Sequence, residues 1–156
     1  MTAPIPVVVA GALGRMGAEV IRAVTGSADC TLVGAIDNTP GKEGMDVGLE
    51  LGLEELTVAV TADFEGCLCA VSQSVRDAGK AAVLVDFTHP SVVYEHTRAA
   101  IAYGVHPVIG TTGLTPQQLQ ELSVFSAKAS IGGAVIPNFS VGMVLLQQAA
   151  AAAARF

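Results

Sequence analysis

The sequence predicts a doubly wound α/β fold, a parallel sheet with helices on both faces. Three observations point there. Apolar runs alternate with helix-period segments along the whole chain. The strand-like runs are apolar on both sides, so both faces of the sheet must be covered. Alanine, valine and glycine dominate a composition that is 51% hydrophobic and only 4% aromatic, which suits helices packed close against strands. At 156 residues the chain reads as one domain. That length is enough to bury about 70% of its unfolded surface.

The elements follow in order. Residues 5–11, IPVVVAG, read as a buried strand. Residues 14–26 read as a helix, with Met16, Val20, Ala23 and Val24 on one side and Gly26 near its end. Residues 30–37 form the next strand, and 38–55 are a Gly-rich, acidic loop with one turn of helix. LTVAV, 56–60, is a short strand, and 64–78 a helix. AAVLVDF, 81–87, is a strong buried strand that carries Asp86 near its end. The helix over 90–104 opens on Pro90 and closes on Gly104. Residues 105–110 are a strand, although Pro107 argues against a central position. In the helix over 115–129, Thr115 caps, Pro116 suits the first turn and Gln118 completes a capping box. Residues 132–137 give a last strand and 140–156 a last helix. The pattern stops at Phe156 without a cap or polar tail, which reads as a cut end, by design or natural.

Composition excludes several functions. A net charge of −6, with no Lys/Arg-rich run, leaves no basic face for nucleic acid. The start, MTAPIPVVVAG, lacks the basic region of a secretory signal. The apolar stretch near the C-terminus is broken by Gln147 and Gln148 and rich in alanine, so it reads as a packed or docking helix and not a membrane span. Three cysteines, an odd number without a secretion signal, fit reduced thiols in a cytoplasmic protein. Cys67 and Cys69 have no second pair or neighbouring histidine to complete a metal site and read as buried apolar residues.

The glycines carry the functional signal. Gly11, Gly14 and Gly17 interrupt the sequence where the first strand passes into the first helix. In a doubly wound sheet, ligands bind beyond the carboxyl ends of the strands. Gly11 favours a tight turn, Gly14 lets a pyrophosphate approach the backbone, and Gly17 lets the helix lie close. The helix start then offers free N–H donors and partial positive charge to phosphates. The spacing is G-x-x-G-x-x-G, not the strict G-x-G-x-x-G, but it follows a strand, opens a helix and lies in the first βαβ unit. Asp37 ends the second strand, where adenosine ribose hydroxyls would sit. No Gly-Lys-Ser/Thr follows, which excludes a Walker-type loop. Arg15 is either a solvated helix-start residue or a contact for cofactor phosphate.

Three further loops belong to the same sheet edge: residues 86–90, Gly110–Gly113 and Pro137–Ser140. Singly each suits ordinary helix capping; together with the glycine turn they make a cofactor cleft. His89 is read as exposed, with an acid–base role as the lesser reading. His96 and His106 are read as structural or solvent-facing. No catalytic set appears: there is no G-x-S-x-G elbow, no H-E-x-x-H pair and no Cys with a histidine partner.

The ordered segments VAGALGRMG, VDFTHP, VIGTTGLT and IPNFSVGM resemble the N-terminal domain of the 4-hydroxy-tetrahydrodipicolinate (dihydrodipicolinate) reductases of lysine biosynthesis, over nearly the whole chain. The resemblance implies a Rossmann-like domain binding NADH or NADPH. Gly11, Ala12, Leu13, Gly14, Arg15, Met16 and Gly17 would hold the pyrophosphate, and Asp37 the ribose. Phe87 and Thr88 would lie near the cofactor. Gly110, Thr111 and Thr112 would flank the nicotinamide half, and Ile136, Pro137, Asn138 and Phe139 would close the site. The family passes hydride from the nicotinamide to a cyclic, unsaturated dicarboxylate. Its second domain holds a histidine pair, a lysine and a small-residue loop that serve the substrate, and mediates assembly as a homotetramer. None of these is expected in this chain, which is read as a truncated dinucleotide-binding domain, a monomer or weak dimer that binds cofactor without turnover. Asn38 follows Asp37 where NADPH-preferring members often place a basic residue, so the residues lean to NADH or dual use, unless Arg15 or Lys42 offsets the acid. Two other readings stay open: a different two-domain dehydrogenase, and a non-catalytic NAD(H) sensor.

Overall fold

A computed structural model describes residues 3–136 and 138–155. Six strands run parallel in one sheet: β1 (Ile5–Ala10), β2 (Cys30–Ile36), β3 (Val60–Thr61), β4 (Val83–Asp86), β5 (His106–Ile109) and β6 (Ala134–Val135). Their order is β3-β2-β1-β4-β5-β6. The chain winds outward from β1 in one direction, returns, and winds outward from β4 in the other. The crevice between β1 and β4 is therefore the switch point where such sheets bind ligands. The helices are α1 (Arg15–Thr25), α2 (Val47–Glu50), α3 (Phe64–Asp77), α4 (Val93–Ala102), α5 (Pro116–Ala129) and α6 (Val141–Ala153).

Strand alternation divides the core. Val7 and Val9 point to one face and pack with Ile21 and Val24 of α1 and with Val47 of α2. Val8 and Ala10 point to the other and pack with Leu68, Val71 and Val75 of α3 and Ala100 of α4. Each fully buried side chain of this kind contributes about 1.5–3 kcal/mol. Beyond β4 the cover thins. Val83, Val85 and Val108 are only half-buried, both residues of β6 are exposed, and α6 buries none of its side chains. Val141, Leu145 and Leu146 of α6 stand among the most exposed large apolar residues described. Among the described residues, no helix is long and apolar enough to cross a membrane.

The doubly wound architecture matches the sequence expectation, with three local corrections. The buried stripe of α1 is Gly17, Ala18, Ile21 and Val24, whereas Met16 and Ala23 are exposed. The helix docks through its glycine against the preceding turn, and that approach rotates the expected stripe. Residues 56–60 do not form the expected strand, which is reduced to Val60–Thr61. The Asp46 carboxylate takes the N–H groups of Leu56 and Val58, both at 3.1 Å, and residues 44–47 pair back against Val58 and Val60. The helix expected from Pro90 starts at Val93, because the His89 carbonyl first closes a turn onto Val92 and Val93.

Pro107 does sit inside the sheet, opposite Leu84. The His106 N–H bonds toward β4, to the Ala82 carbonyl at 2.9 Å. By the alternation of ladder bonds, Pro107 turns its nitrogen toward β6, whose pairing begins only opposite Val108.

Candidate cofactor cleft

The glycine turn is built by close backbone approach. Gly11 has φ +75°, and a Cβ there would lie 2.5 Å from the Phe87 carbonyl oxygen. The Gly11 and Ala12 N–H groups both donate to the Ile36 carbonyl, at 2.9 and 3.1 Å, and the Phe87 N–H donates to the Ala10 carbonyl at 3.0 Å. The ends of β1, β2 and β4 are thereby laced together. At Gly17 any Cβ would overlap the Gly11 carbonyl, so only glycine lets α1 approach this far.

Beyond the turn α1 opens without a side-chain cap. Gly14 occupies the cap position with nothing to offer. Among the described residues, the N–H groups of Arg15, Met16 and Gly17 find no acceptor. Arg15 and Met16 are exposed at this mouth, and Ala12 is buried beneath it.

Asp37 stands at the end of β2 beside that mouth. Its Oδ2 accepts the Leu13 N–H at 2.9 Å, and its Oδ1 accepts the Thr39 N–H at 2.9 Å and the Thr39 hydroxyl at 2.6 Å. On the neighbouring rim the Glu43 carboxylate accepts the Ala62 N–H at 2.6 Å and the Thr61 hydroxyl at 2.9 Å. Lys42 pairs with Glu50 at 2.5 Å. A cleft of about 510 Å³ opens here, lined by Gly11, Asp37, Ala62, Phe64, Thr88 and His96 among others.

A buried carboxylate anchors the far wall. Asp86 ends β4 and is 0% exposed. It accepts the Thr88 N–H at 2.9 Å, the Thr88 hydroxyl at 2.7 Å, the Thr111 hydroxyl at 2.7 Å and His96 Nδ1 at 3.0 Å. Burial alone would push its carboxyl up; the hydrogen bonds from His96, Thr88 and Thr111 outweigh that and hold it below the ordinary value. His96 stacks flat on Phe64, with centroids 3.8 Å apart. The Asp86 carbonyl takes the Gly110 and Thr111 N–H groups at 2.9 and 3.2 Å. Phe87 lies against Gly110 and meets Phe139 at 5.1 Å.

The residues expected from sequence thus collect at one edge in two groups. Gly11, Asp37 and Thr88 line the first cleft, with residues 12–17 in the turn and helix start that follow Gly11, whereas Phe87, Gly110 to Thr112, Ile136 and Phe139 cluster past β4 and β5. Thr112 and Phe139 are exposed, Thr111 is buried, and Asn138 takes the Ser140 N–H at 2.8 Å. Pro137 lies outside the described residues. His89 bonds to Ser91 at 2.9 Å within its own turn, and His106 Nδ1 bonds to the Gly132 carbonyl at 2.9 Å. His96, Phe64 and Glu43 were not expected here, and Asp86 was expected only as part of the 86–90 loop, with no role of its own. An acid closing a buried strand beside a threonine is the one sequence signal that could have pointed to Asp86.

The model for the N-terminal part of dihydrodipicolinate reductase matches residues 5–139. The chain belongs to this family. A 4-hydroxy-tetrahydrodipicolinate reductase of Synechococcus sp. (strain CC9605) is 88% identical over all 156 residues of the chain and 56% of its own length. The chain thus spans about half the length of the curated reductases it matches. Among solved structures, a dipicolinate-bound dihydrodipicolinate reductase from Paenisporosarcina sp. TG-14 shares 30% identity, with a TM-score of 0.74 over 98% of this chain and 54% of that one. GenD2 from gentamicin A biosynthesis, solved in complex with NAD, is 20% identical over 89% of this chain and 36% of that one, at a TM-score of 0.69. That more distant likeness supports the Rossmann-like fold alone.

Proposed function

We propose that the chain binds NADH and serves as the nucleotide-binding part of a reductase that delivers hydride to 4-hydroxy-tetrahydrodipicolinate in lysine biosynthesis. The open start of α1 carries the reading: three backbone N–H groups without partners among the described residues, behind a glycine cap that puts no side chain in the way. Such a mouth fits a diphosphate. Residues 11–17 hold it there, with Arg15 free to meet its outer oxygens, and Asp37 receives the adenosine ribose. Phe87 and Thr88 lie alongside, while Gly110, Thr111, Thr112, Ile136, Asn138 and Phe139 bound the nicotinamide half. When bound, the dinucleotide supplies the hydride. The chain's own residues orient it and exclude water from one side.

The rim favours an unphosphorylated ribose. Asp37 and Glu43 place two carboxylates near the ribose position, and the nearby Lys42 is paired with Glu50. A 2′-phosphate would meet uncompensated negative charge.

The three histidines are each engaged within the fold, so the groups that bind the substrate carboxylates and donate the proton are assigned to the rest of the full enzyme. The dicarboxylate substrate, a cytoplasmic location and tetrameric assembly belong to that whole. This chain alone is a monomer, or a weak dimer through exposed α6, and turns over no substrate.

Parallel fluorescence titrations with NADH and NADPH test the reading. Enhanced or blue-shifted NADH emission is expected, with NADPH weaker by about tenfold, the effect of one uncompensated charge contact. Tighter NADPH binding would overturn the preference. A folded chain that binds neither at millimolar concentration would overturn the function.

A further inference from the structure

The charged groups around the cleft include one without a direct ligand role: Asp86, sealed beneath the floor. Its carboxylate holds three separate parts of the chain at once. Thr88 belongs to the loop after β4, Thr111 to the loop after β5, and His96 to α4. Thr111 is itself buried, and its hydroxyl points inward to Asp86 and not toward a ligand. The loop that carries it nevertheless runs straight into exposed Thr112 at the sheet edge. A side chain turned inward at such a place fixes backbone, and the backbone it fixes is the one assigned above to the nicotinamide half.

We propose that Asp86 is a positioning residue for the nicotinamide half of the cleft, setting the Gly110–Thr112 loop through the Thr111 hydroxyl. The proposal rests on the dinucleotide reading above and goes beyond it in naming what holds the ring-side loop. Thr88 provides two further donors that fix the carboxylate plane, and His96, braced on Phe64, provides the fourth. An Asp86 side chain held on every side cannot rotate to follow a displaced Thr111, so the loop takes its place from the carboxylate. The Gly110 and Thr111 N–H groups bond to the carbonyl of the same residue, which doubles the tie.

Two ligands separate this from a purely structural role. NADH contains the nicotinamide, whereas ADP-ribose keeps adenosine, diphosphate and a second ribose but lacks the ring. Both are titrated against the wild-type chain, Thr111→Val, Thr111→Ser and Asp86→Asn. Thr111→Val is expected to shrink the margin of NADH over ADP-ribose by about tenfold, as for one lost charged hydrogen bond. Its ADP-ribose affinity should stay within about twofold of wild type, and the shift in bound NADH emission should fall. Thr111→Ser, which keeps the hydroxyl, restores both. Asp86→Asn lowers the margin at least as far as Thr111→Val; should that variant fail to fold, the threonine pair still decides. Equal weakening of both ligands in Thr111→Val would overturn the proposal, as would a valine variant identical to wild type. A wild-type chain that binds ADP-ribose as tightly as NADH would overturn it too, since no ring contact would exist to position. Failure of wild type to bind either ligand sinks the dinucleotide reading itself.

Discussion

Helices α1 and α5 both leave the carboxyl edge of the sheet, yet they begin in opposite ways. In α5 the Thr115 hydroxyl accepts the Gln118 N–H at 3.2 Å, and the Gln118 side chain accepts the Thr115 N–H at 2.9 Å. Pro116 removes one more donor from the first turn. The start of α5 is largely finished by its own sequence, with only the Gln117 N–H lacking an acceptor among the described residues. That of α1 is not: Gly14 brings no cap, and the next three N–H groups are left for something else. Leaving glycine at the cap forfeits roughly a few tenths of a kcal/mol. An unfinished start at a switch point is where a ligand completes the helix, and a finished one beside it is architecture.

The largest effect is expected at Gly17. Gly17→Val drives a side chain into the Gly11 carbonyl and pushes α1 off the sheet. A loss of more than about 3 kcal/mol is expected in urea unfolding. A wild-type midpoint would mean that α1 does not need its close seat. Next comes Gly14→Asp, which gives α1 the kind of cap that α3 has in Asp63. The new Cβ would sit 3.2 Å from the Gly11 carbonyl, tight but relieved by a small shift. Stability should change by only a few tenths of a kcal/mol. NADH affinity should fall about a hundredfold, because a carboxylate takes the place of the diphosphate. Unchanged affinity in calorimetry would erase the distinction between the two helices. The smallest effect is expected of Thr115→Ala, which opens α5 and lowers stability by about 1 kcal/mol. Its NADH affinity should stay within about twofold, as the hydrogen bond it loses faces no ligand. A larger shift would show that α5 also completes itself on the cofactor.

The fold was legible because it depends on periodicity and punctuation. Buried strands read as apolar runs, and Thr115, Pro116 and Gln118 spell a helix start in adjacent letters. The glycine turn and Asp37 were legible for a similar reason, since both close β–strands whose ends are marked in sequence. The Asp86 network was not. Beyond Thr88, its partners lie 10 and 25 residues away, and Thr111 reaches it only because Asp86 pairs with Ile109 in the register of β4 and β5. The stripe of α1 was misjudged because glycine counts as nothing on a hydrophobic face, yet here it sets the rotation of the helix. The segment at 56–60 reads as a strand in composition, but one carboxylate, Asp46, claims the amides that a strand would have given to a neighbour.

The bond from the Leu13 amide to Asp37 means that the acid proposed to select the sugar also buttons down the turn proposed to cradle the phosphates. Replacing Asp37 to admit a 2′-phosphorylated nucleotide would loosen that turn in the same stroke. A redesign aimed at the phosphorylated cofactor has a safer handle in Asn38 and Glu43, where positive charge can be introduced while the button stays fastened.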